Sequence, residues 1–104
     1  MNFKIIDIND AKVKLESGNT VFIDIRDEAS YTTSHLPGAK MINDSNLQEY
    51  LSTADKAQEH IIYCYHGNSS KSAASFFVES GFEDVASMAG GFGEWSSRGE
   101  KTES

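Results

Sequence analysis

The stretch from residue 61 to residue 82, IIYCYHGNSSKSAASFFVESGF, determines the fold class of this chain. It opens with a short apolar run, Ile61–Cys64, which has the length and composition of a buried strand. A polar segment follows, and from about Ser70 the apolar residues recur at helical spacing until Gly81 ends the pattern. A strand, a short polar loop and a helix in this order predict an α/β protein.

Three other short apolar runs predict further strands, at Phe3–Ile6, Val21–Ile25 and Val85–Met88. The runs at 21–25 and 61–64 are apolar at nearly every position, which is typical of strands covered by helices on both faces. We therefore predict a single α/β domain over residues 1–98, with a mainly parallel central sheet flanked by helices on both faces. The polar residues 99–104 are predicted to form a frayed tail.

Caps, stops and apolar spacing predict three helices besides the one that follows the loop. The first is capped by Asn9 and stops at Gly18, the second is capped by Asn43 or Asp44, and a short one follows the Gly90–Gly91 turn. Phe92 and Trp95 in the short helix are interpreted as core aromatic residues.

Composition and charge limit the function classes. A chain of 104 residues has room for one hydrophobic core. Its net charge of -7 argues against nucleic acid or an anionic membrane surface as the partner. It contains no apolar stretch of about 20 residues, and its first residues lack the apolar core of a secretory signal. The single cysteine, Cys64, cannot form an internal disulfide, so we expect a reducing location, the cytoplasm.

Two polar segments follow the predicted central strands, Asp24–Asp27 and the residues after Cys64. Ligands of parallel α/β sheets bind at the carboxyl ends of strands, so both segments are candidate positions for a site. Gly67 and Asn68 tolerate the positive φ of a tight turn, in which successive amides can point inward and form an anion-binding nest. Such a nest lowers the pKa of a thiol, which makes Cys64 a candidate nucleophile.

The alternative is that Cys64 is a small buried hydrophobe at the end of a core strand, as free cysteines usually are. The polar run after it continues a core strand poorly and suits an anion-binding loop, which favours the nucleophile. The residues that could cradle an anionic substrate are those of the loop and the first helical turn: Tyr65, His66, Gly67, Asn68, Ser69, Ser70 and Lys71.

Three of these side chains have candidate roles of their own. Lys71 could attract an anionic substrate, and Ser69 and Ser70 could donate hydrogen bonds or cap the helix. A catalytic role for His66 is not favoured, because a thiolate that the loop already stabilises needs little help from a base.

Three segments together resemble the signatures of the rhodanese superfamily. They are CYHGNSSK with the following SAASFFVESGF, the upstream VFIDIRDEASYTTSHLPGAKMI, and the C-terminal MAGGFGEW. Their order and spacing over residues 5–96 are particularly similar to the short, single-domain thiosulfate sulfurtransferases of the GlpE type. The resemblance implies that residues 1–98 form a rhodanese-like domain.

The resemblance also implies a reaction. Cys64 takes the sulfane sulfur of thiosulfate as a persulfide and releases sulfite. The sulfur then passes to a thiophilic acceptor, which is cyanide in an assay or a dithiol protein of the thioredoxin-like kind. The family requires neither a metal nor an organic cofactor for this transfer.

The upstream segment departs from many relatives at Ser30, where they carry an acidic residue. Asp24 and Arg26 are interpreted as structural residues near the site. The change at Ser30 leaves Asp27 or Glu28 as candidates for the ion-pair partner of Arg26.

Two other functions stay open at this point. Phosphatases and arsenate reductases of related fold use Cys-x5-Arg, in which the arginine clamps the oxygens of phosphate. Here the sixth residue after Cys64 is Ser70 and the nearby cation is Lys71, which disfavours phosphate chemistry. A persulfide carrier or partner-binding module is also compatible with the sequence, because carriage and catalysis would share the same persulfide.

Overall fold

The computed structural model describes residues 3–104, within which strands and helices alternate along the chain. In chain order they are β1 (Lys4–Ile6), α1 (Ile8–Ser17), β2 (Val21–Asp24), α2 (Glu28–Thr33), β3 (Lys40–Met41), α3 (Leu47–Thr53), β4 (His60–Tyr63), α4 (Ser69–Glu79), β5 (Val85–Met88) and α5 (Gly91–Ser97). These strands form one parallel sheet in the order β1-β5-β4-β2-β3. The predicted α/β class with a parallel sheet is confirmed.

Both faces of the sheet are buried, as the apolar strands predict. Ile61 and Tyr63 of β4 belong to the cluster that α1 and α5 cover, together with Trp95. Ile62, between them in sequence, belongs to the opposite cluster, which α3 and α4 cover and which contains Phe77. Because successive side chains of a strand point to opposite faces, the single run at 61–63 supplies both halves of the core.

β2 and β4 lie side by side, with Asp24 in register with Tyr63. The amide of Ile25 donates a hydrogen bond to the Tyr63 carbonyl at 3.1 Å, which extends the pairing by one residue. The carboxyl ends of these two strands therefore meet at one edge of the sheet. Arg26 follows one strand there, and Cys64 follows the other.

Two elements, α2 and β3, lack any apolar pattern that would predict them. α2 has 6 residues, none of them buried, and begins where the Asp27 carboxylate accepts a hydrogen bond from the Ser30 amide at 2.7 Å. β3 pairs only Lys40 and Met41 with β2. Short elements of this kind depend on caps and neighbouring strands, so periodicity does not reveal them.

The predicted helix caps differ from the observed ones. Asp7, not Asn9, caps α1, because its carboxylate accepts a hydrogen bond from the Asp10 amide at 2.8 Å. The candidate caps of the second predicted helix, Asn43 and Asp44, lie before the observed start of α3. The side chain of Asn43 instead accepts hydrogen bonds from Ser45, which places it in a turn ahead of the helix.

Two residues of the tail predicted to be frayed, Lys101 and Glu103, make hydrogen bonds to the domain, although residues 101–104 are exposed. The backbones of Glu103 and His35 exchange two hydrogen bonds of 2.8 Å. The buried indole of Trp95 donates a hydrogen bond to the Lys101 carbonyl at 2.8 Å. An indole N–H in a core needs such an acceptor, so the polar tail has a structural role that its composition does not indicate. None of the helices in residues 3–104 is long and apolar enough to cross a membrane.

Candidate active site

Cys64 is the first residue after β4, and its side chain lies at the bottom of a backbone cradle. The residue is 7% exposed. Its sulfur accepts hydrogen bonds from the amide of Gly67 at 3.1 Å and from the amide of Ser70 at 3.3 Å. The loop that the sequence predicts as an anion nest therefore converges on the sulfur atom.

Gly67 is required by the geometry of this loop. Its φ is +98°, a conformation that side chains rarely adopt. A Cβ placed on it would lie 3.0 Å from the Gly90 nitrogen and 3.4 Å from the Met88 carbonyl oxygen. Both the turn and the close approach of the Gly90 backbone therefore disfavour a larger residue here.

The segment after β5 supports the loop from the other side. The amide of Phe92 donates to the Cys64 carbonyl, and the amide of Gly93 donates to the Tyr65 carbonyl, both at 2.8 Å. A Cβ on Gly91 would lie 2.5 Å from the Cys64 carbonyl oxygen. The sequence predicts a turn and two core aromatic residues in this segment, and in the structure its amides also hold the backbone of the cysteine loop in place. Its close-set glycines are the signal in the sequence that could have indicated a close approach between two backbones.

Two buried hydroxyl groups extend from the cysteine into the core. Ser70 and Ser87 are both 0% exposed. The Ser70 Oγ lies 3.5 Å from the Cys64 sulfur and 2.7 Å from the Ser87 Oγ. Ser87 lies in β5 within an apolar run, and no motif in the sequence indicates a role for it.

The surroundings of Cys64 act on its thiol in opposite directions. Burial, the largest single influence, disfavours the charged form and would raise the pKa. Hydrogen bonds from the Ser70 hydroxyl and from loop amides favour the charged form. Together they outweigh burial, and the pKa of the Cys64 thiol lies below its ordinary value. The amides are those of Ser70, Gly67 and His66.

The remaining predicted loop residues lie at the surface. Tyr65, His66, Asn68, Ser69 and Lys71 are all exposed. Asn68 precedes the first residue of α4 without a side-chain capping bond, and its carbonyl accepts a hydrogen bond from the Lys71 amide at 3.2 Å. The cradle around the sulfur is thus formed by backbone amides and one hydroxyl, while the larger side chains surround it.

Beside the cysteine loop, Arg26 forms a buried ion pair with Asp24. The guanidinium approaches the carboxylate to 2.7 Å, and the two side chains are 5% and 0% exposed. Arg26 also donates to the Ser34 carbonyl at 2.6 Å and lies 4.0 Å from the ring centre of Phe92. The expected partner, Asp27 or Glu28, is wrong, because Asp27 caps α2 and Asp24 faces the guanidinium from two residues upstream.

The chain is similar to known proteins over most of its length. The family model of the rhodanese-like domain matches residues 7–98. The thiosulfate sulfurtransferase GlpE of Pseudoalteromonas translucida (strain TAC 125) is 44% identical over 95 residues, 91% of this chain and 90% of that protein. The thiosulfate sulfurtransferase GlpE of Pseudomonas fluorescens (strain SBW25) is 42% identical over 89% of this chain and 84% of its own length.

Solved structures share the fold. The Alr3790 protein from Anabaena sp. has a TM-score of 0.84 and 27% identity, covering 94% of this chain and 81% of that one. RPA3614 from Rhodopseudomonas palustris CGA009, described as a possible tyrosine phosphatase, has a TM-score of 0.85 and 25% identity, covering 97% and 85%. The arrangement of sheet and helices is therefore a recurring one.

Proposed function

The chain belongs to the rhodanese-like domain family and has thiosulfate sulfurtransferase activity, and we propose that this activity proceeds through a persulfide on Cys64. The observation that supports the proposal is the convergence of two backbone amides and the Ser70 hydroxyl on the Cys64 sulfur. This environment lowers the pKa of the thiol, so a larger fraction is thiolate at neutral pH than for an ordinary cysteine.

In the first step the Cys64 thiolate attacks the outer sulfur of thiosulfate. A sulfur–sulfur bond forms to the cysteine, and the sulfur–sulfur bond of thiosulfate breaks. Sulfite leaves as a dianion with the electron pair of the broken bond, and the terminal sulfur of the persulfide keeps the negative charge that it carried in thiosulfate. In the second step a thiophilic acceptor attacks that terminal sulfur and the thiolate is restored. The acceptor is cyanide in an assay or a dithiol protein in the cell.

The cradle can stabilise negative charge both on the cysteine sulfur and on the terminal sulfur of the persulfide. In the free enzyme the amides of Gly67 and Ser70 stabilise charge on the cysteine sulfur. In the persulfide the amides from Tyr65 to Ser70 hold the terminal sulfur, in the way that an oxyanion hole holds a developing charge. Neutral donors suit this task because they stabilise the charge without fixing it to one atom.

A phosphatase function is not supported, despite the fold likeness to RPA3614. Position six after the cysteine is occupied by Ser70, whose small side chain cannot clamp phosphate oxygens as arginine does. The guanidinium of Arg26, which lies nearby, donates to both carboxylate oxygens of Asp24.

The test is intact-protein mass spectrometry before and after thiosulfate, and again after cyanide. We expect a gain of one sulfur atom that maps to Cys64 and is removed by cyanide. Repeated turnover with thiosulfate and cyanide distinguishes an enzyme from a carrier that loads sulfur once. A folded protein with an accessible thiol and no adduct would contradict the persulfide mechanism. Hydrolysis of an aryl phosphate would then favour the phosphatase alternative.

A further inference from the structure

Ser87 is a polar residue in a strand that is otherwise apolar and buried. β5 reads Val-Ala-Ser-Met, and all four residues are buried. The Ser87 side chain is 0% exposed and its Oγ lies 2.7 Å from the Ser70 Oγ. Within residues 3–104, no buried side-chain oxygen or nitrogen lacks a hydrogen-bond partner, and the partner of the Ser87 hydroxyl is Ser70.

The proton of each hydroxyl decides what this pair does. Each serine hydroxyl has one proton to donate and two lone pairs that accept. If Ser70 donated to Ser87, its oxygen would present lone pairs to the sulfur and would repel a thiolate. If Ser87 donates to Ser70, the Ser70 proton is free to point at the sulfur 3.5 Å away. Only the second arrangement stabilises negative charge on Cys64.

We propose that Ser87 is a positioning residue, whose hydroxyl donates to the Ser70 Oγ and thereby directs the Ser70 proton towards the Cys64 sulfur. The proposal rests on the persulfide mechanism for its use in sulfur transfer, but the contact itself is a property of the resting enzyme. Hydrogen bonds in a chain polarise one another, so a bond from Ser87 to Ser70 also strengthens the bond that the Ser70 hydroxyl donates to the sulfur.

The experiment follows ionisation of the thiol in Ser87→Ala, through the ultraviolet absorbance of the thiolate against pH. Cys64→Ser provides the blank for the remaining absorbance change. We expect the midpoint of the Cys64 titration to move to higher pH than in the wild type. Below that midpoint the thiolate fraction, and with it the rate of alkylation by iodoacetamide, should fall about three- to tenfold, the effect of one neutral hydrogen bond.

A matched control and a double variant separate positioning from structure. Ser75→Ala removes a hydroxyl from α4 away from the cysteine and should leave the titration unchanged. Ser70→Ala should raise the midpoint by itself, and adding Ser87→Ala to it should change little more. If Ser87→Ala does not fold, the pair Ser87→Thr and Ser87→Val compares two side chains of one shape that differ in the hydroxyl. Thr should then titrate at lower pH than Val.

The outcomes distinguish this inference from the mechanism it rests on. A Ser87→Ala thiol that titrates as in the wild type, or effects of Ser70→Ala and Ser87→Ala that add in full, would overturn the positioning role. Failure of Cys64 to take up sulfur would overturn the persulfide mechanism and would leave the titration result in place.

Discussion

The carboxyl ends of β2 and β4 lie next to each other, and a negative charge can be buried at each. The two ends stabilise that charge in different ways. Each presents a buried group that can be negatively charged, Asp24 on one strand and Cys64 after the other. The carboxylate meets a full positive charge, because Arg26 contacts it at 2.7 Å. The sulfur meets only neutral groups: the amides of Gly67 and Ser70 donate to it, and the Ser70 hydroxyl lies 3.5 Å away.

The ion pair and the neutral cradle suit the different roles of the two strand ends, which are structural for β2 and catalytic for β4. A buried ion pair fixes its charge in place, and loss of one member leaves the other uncompensated. During sulfur transfer the negative charge lies first on the cysteine sulfur and then on the terminal sulfur of the persulfide, and dipoles can stabilise both positions. Driving the pKa of a thiol down too far also lowers its nucleophilicity. We therefore expect changes at Arg26 to act on stability and changes at Cys64 to act on chemistry.

The largest effect is expected for Cys64→Ser. Serine is similar in size but ionises far less readily, so turnover of thiosulfate with cyanide should fall at least about a thousandfold. The melting temperature should stay within about 5 °C of the wild type, because no charge pair is broken. Thiocyanate production and thermal unfolding measure the two quantities. Substantial turnover by the purified variant would remove Cys64 from the mechanism.

Gly67→Val tests whether the cradle, apart from the thiol, is needed. The substitution strains the backbone and brings a side chain against the Gly90 nitrogen, so the loop must move away from the sulfur. We expect formation of the persulfide to fall about a hundredfold or more, comparable with the loss of an oxyanion-hole donor. Mass spectrometry of the thiosulfate-treated protein measures it.

Gly18→Val is the matched control for that variant. Gly18 also has a positive φ, +77°, but a Cβ there has no atom within 4 Å. Both variants should lose about 1–3 kcal/mol of stability from backbone strain, and only Gly67→Val should lose activity. Equal losses of activity would show that strain anywhere in the domain is enough, and normal persulfide formation in Gly67→Val would refute the cradle.

Arg26→Met should lower the stability of the protein and leave the Cys64 thiol nearly unchanged, the opposite of what we expect for Cys64→Ser. Methionine keeps an apolar side chain against Phe92 but leaves the Asp24 carboxylate buried without its partner. The free energy of unfolding should fall by about 3–5 kcal/mol. The titration of the Cys64 thiol in the folded protein should change little, because the donors to the sulfur come from its own loop. Denaturant unfolding and the thiolate absorbance are the two measurements.

The double variant Asp24→Asn with Arg26→Met sharpens this test. Removing both charges should cost less stability than Arg26→Met alone, because no uncompensated charge remains in the core. A double variant that is less stable than the single one would show that Asp24 has a further role. A large change in the thiol titration would show that the two strand ends are not independent.

The sequence predicts the β4 end of the molecule well because its signals are local. The apolar run, the turn residues and the helical spacing follow one another, and the predicted helix start at Ser70 lies one residue from the observed start at Ser69. The β2 end is harder to predict because three carboxylates, those of Asp24, Asp27 and Glu28, lie within two residues of Arg26. Asp24 lies two residues before it, on the same side of an extended chain, and this spacing was a usable signal.

Local patterns do not assign Ser87, and for Gly91 they indicate a close backbone approach without identifying the backbone that approaches. In the sequence, a serine within an apolar strand cannot be distinguished from a small residue without a role. Its contact with Ser70 becomes visible only when β5 is paired with β4 and α4 is packed against the sheet. The role of Gly91 likewise depends on a backbone that approaches from elsewhere in the chain, the Cys64 carbonyl. Contacts of this kind are set by tertiary packing, which periodicity and caps do not report.

The smallest effect is expected for Lys71→Ala, which tests whether a mobile surface charge supplements the neutral cradle. Lys71 is exposed in the first turn of α4, and within residues 3–104 its ammonium group takes part in no ion pair. Against a net charge of -7 it should attract the thiosulfate dianion locally. We expect the KM for thiosulfate to rise about two- to fivefold at low salt, with kcat nearly unchanged.

Lys56→Ala is the control, because Lys56 lies by the Phe82 ring, near the amino end of β4, opposite the edge that carries Cys64. It removes the same charge from the whole molecule and should leave the KM for thiosulfate unchanged. Salt should erase the effect of Lys71→Ala, since exposed charges are screened over about 3 Å at 1 M ionic strength. A KM that is unaffected by Lys71→Ala at low salt would leave neutral donors alone responsible for binding the dianion. An effect that persists at high salt would instead place the ammonium group in direct contact with the substrate, and the cradle would then share the reliance on charge seen at Asp24.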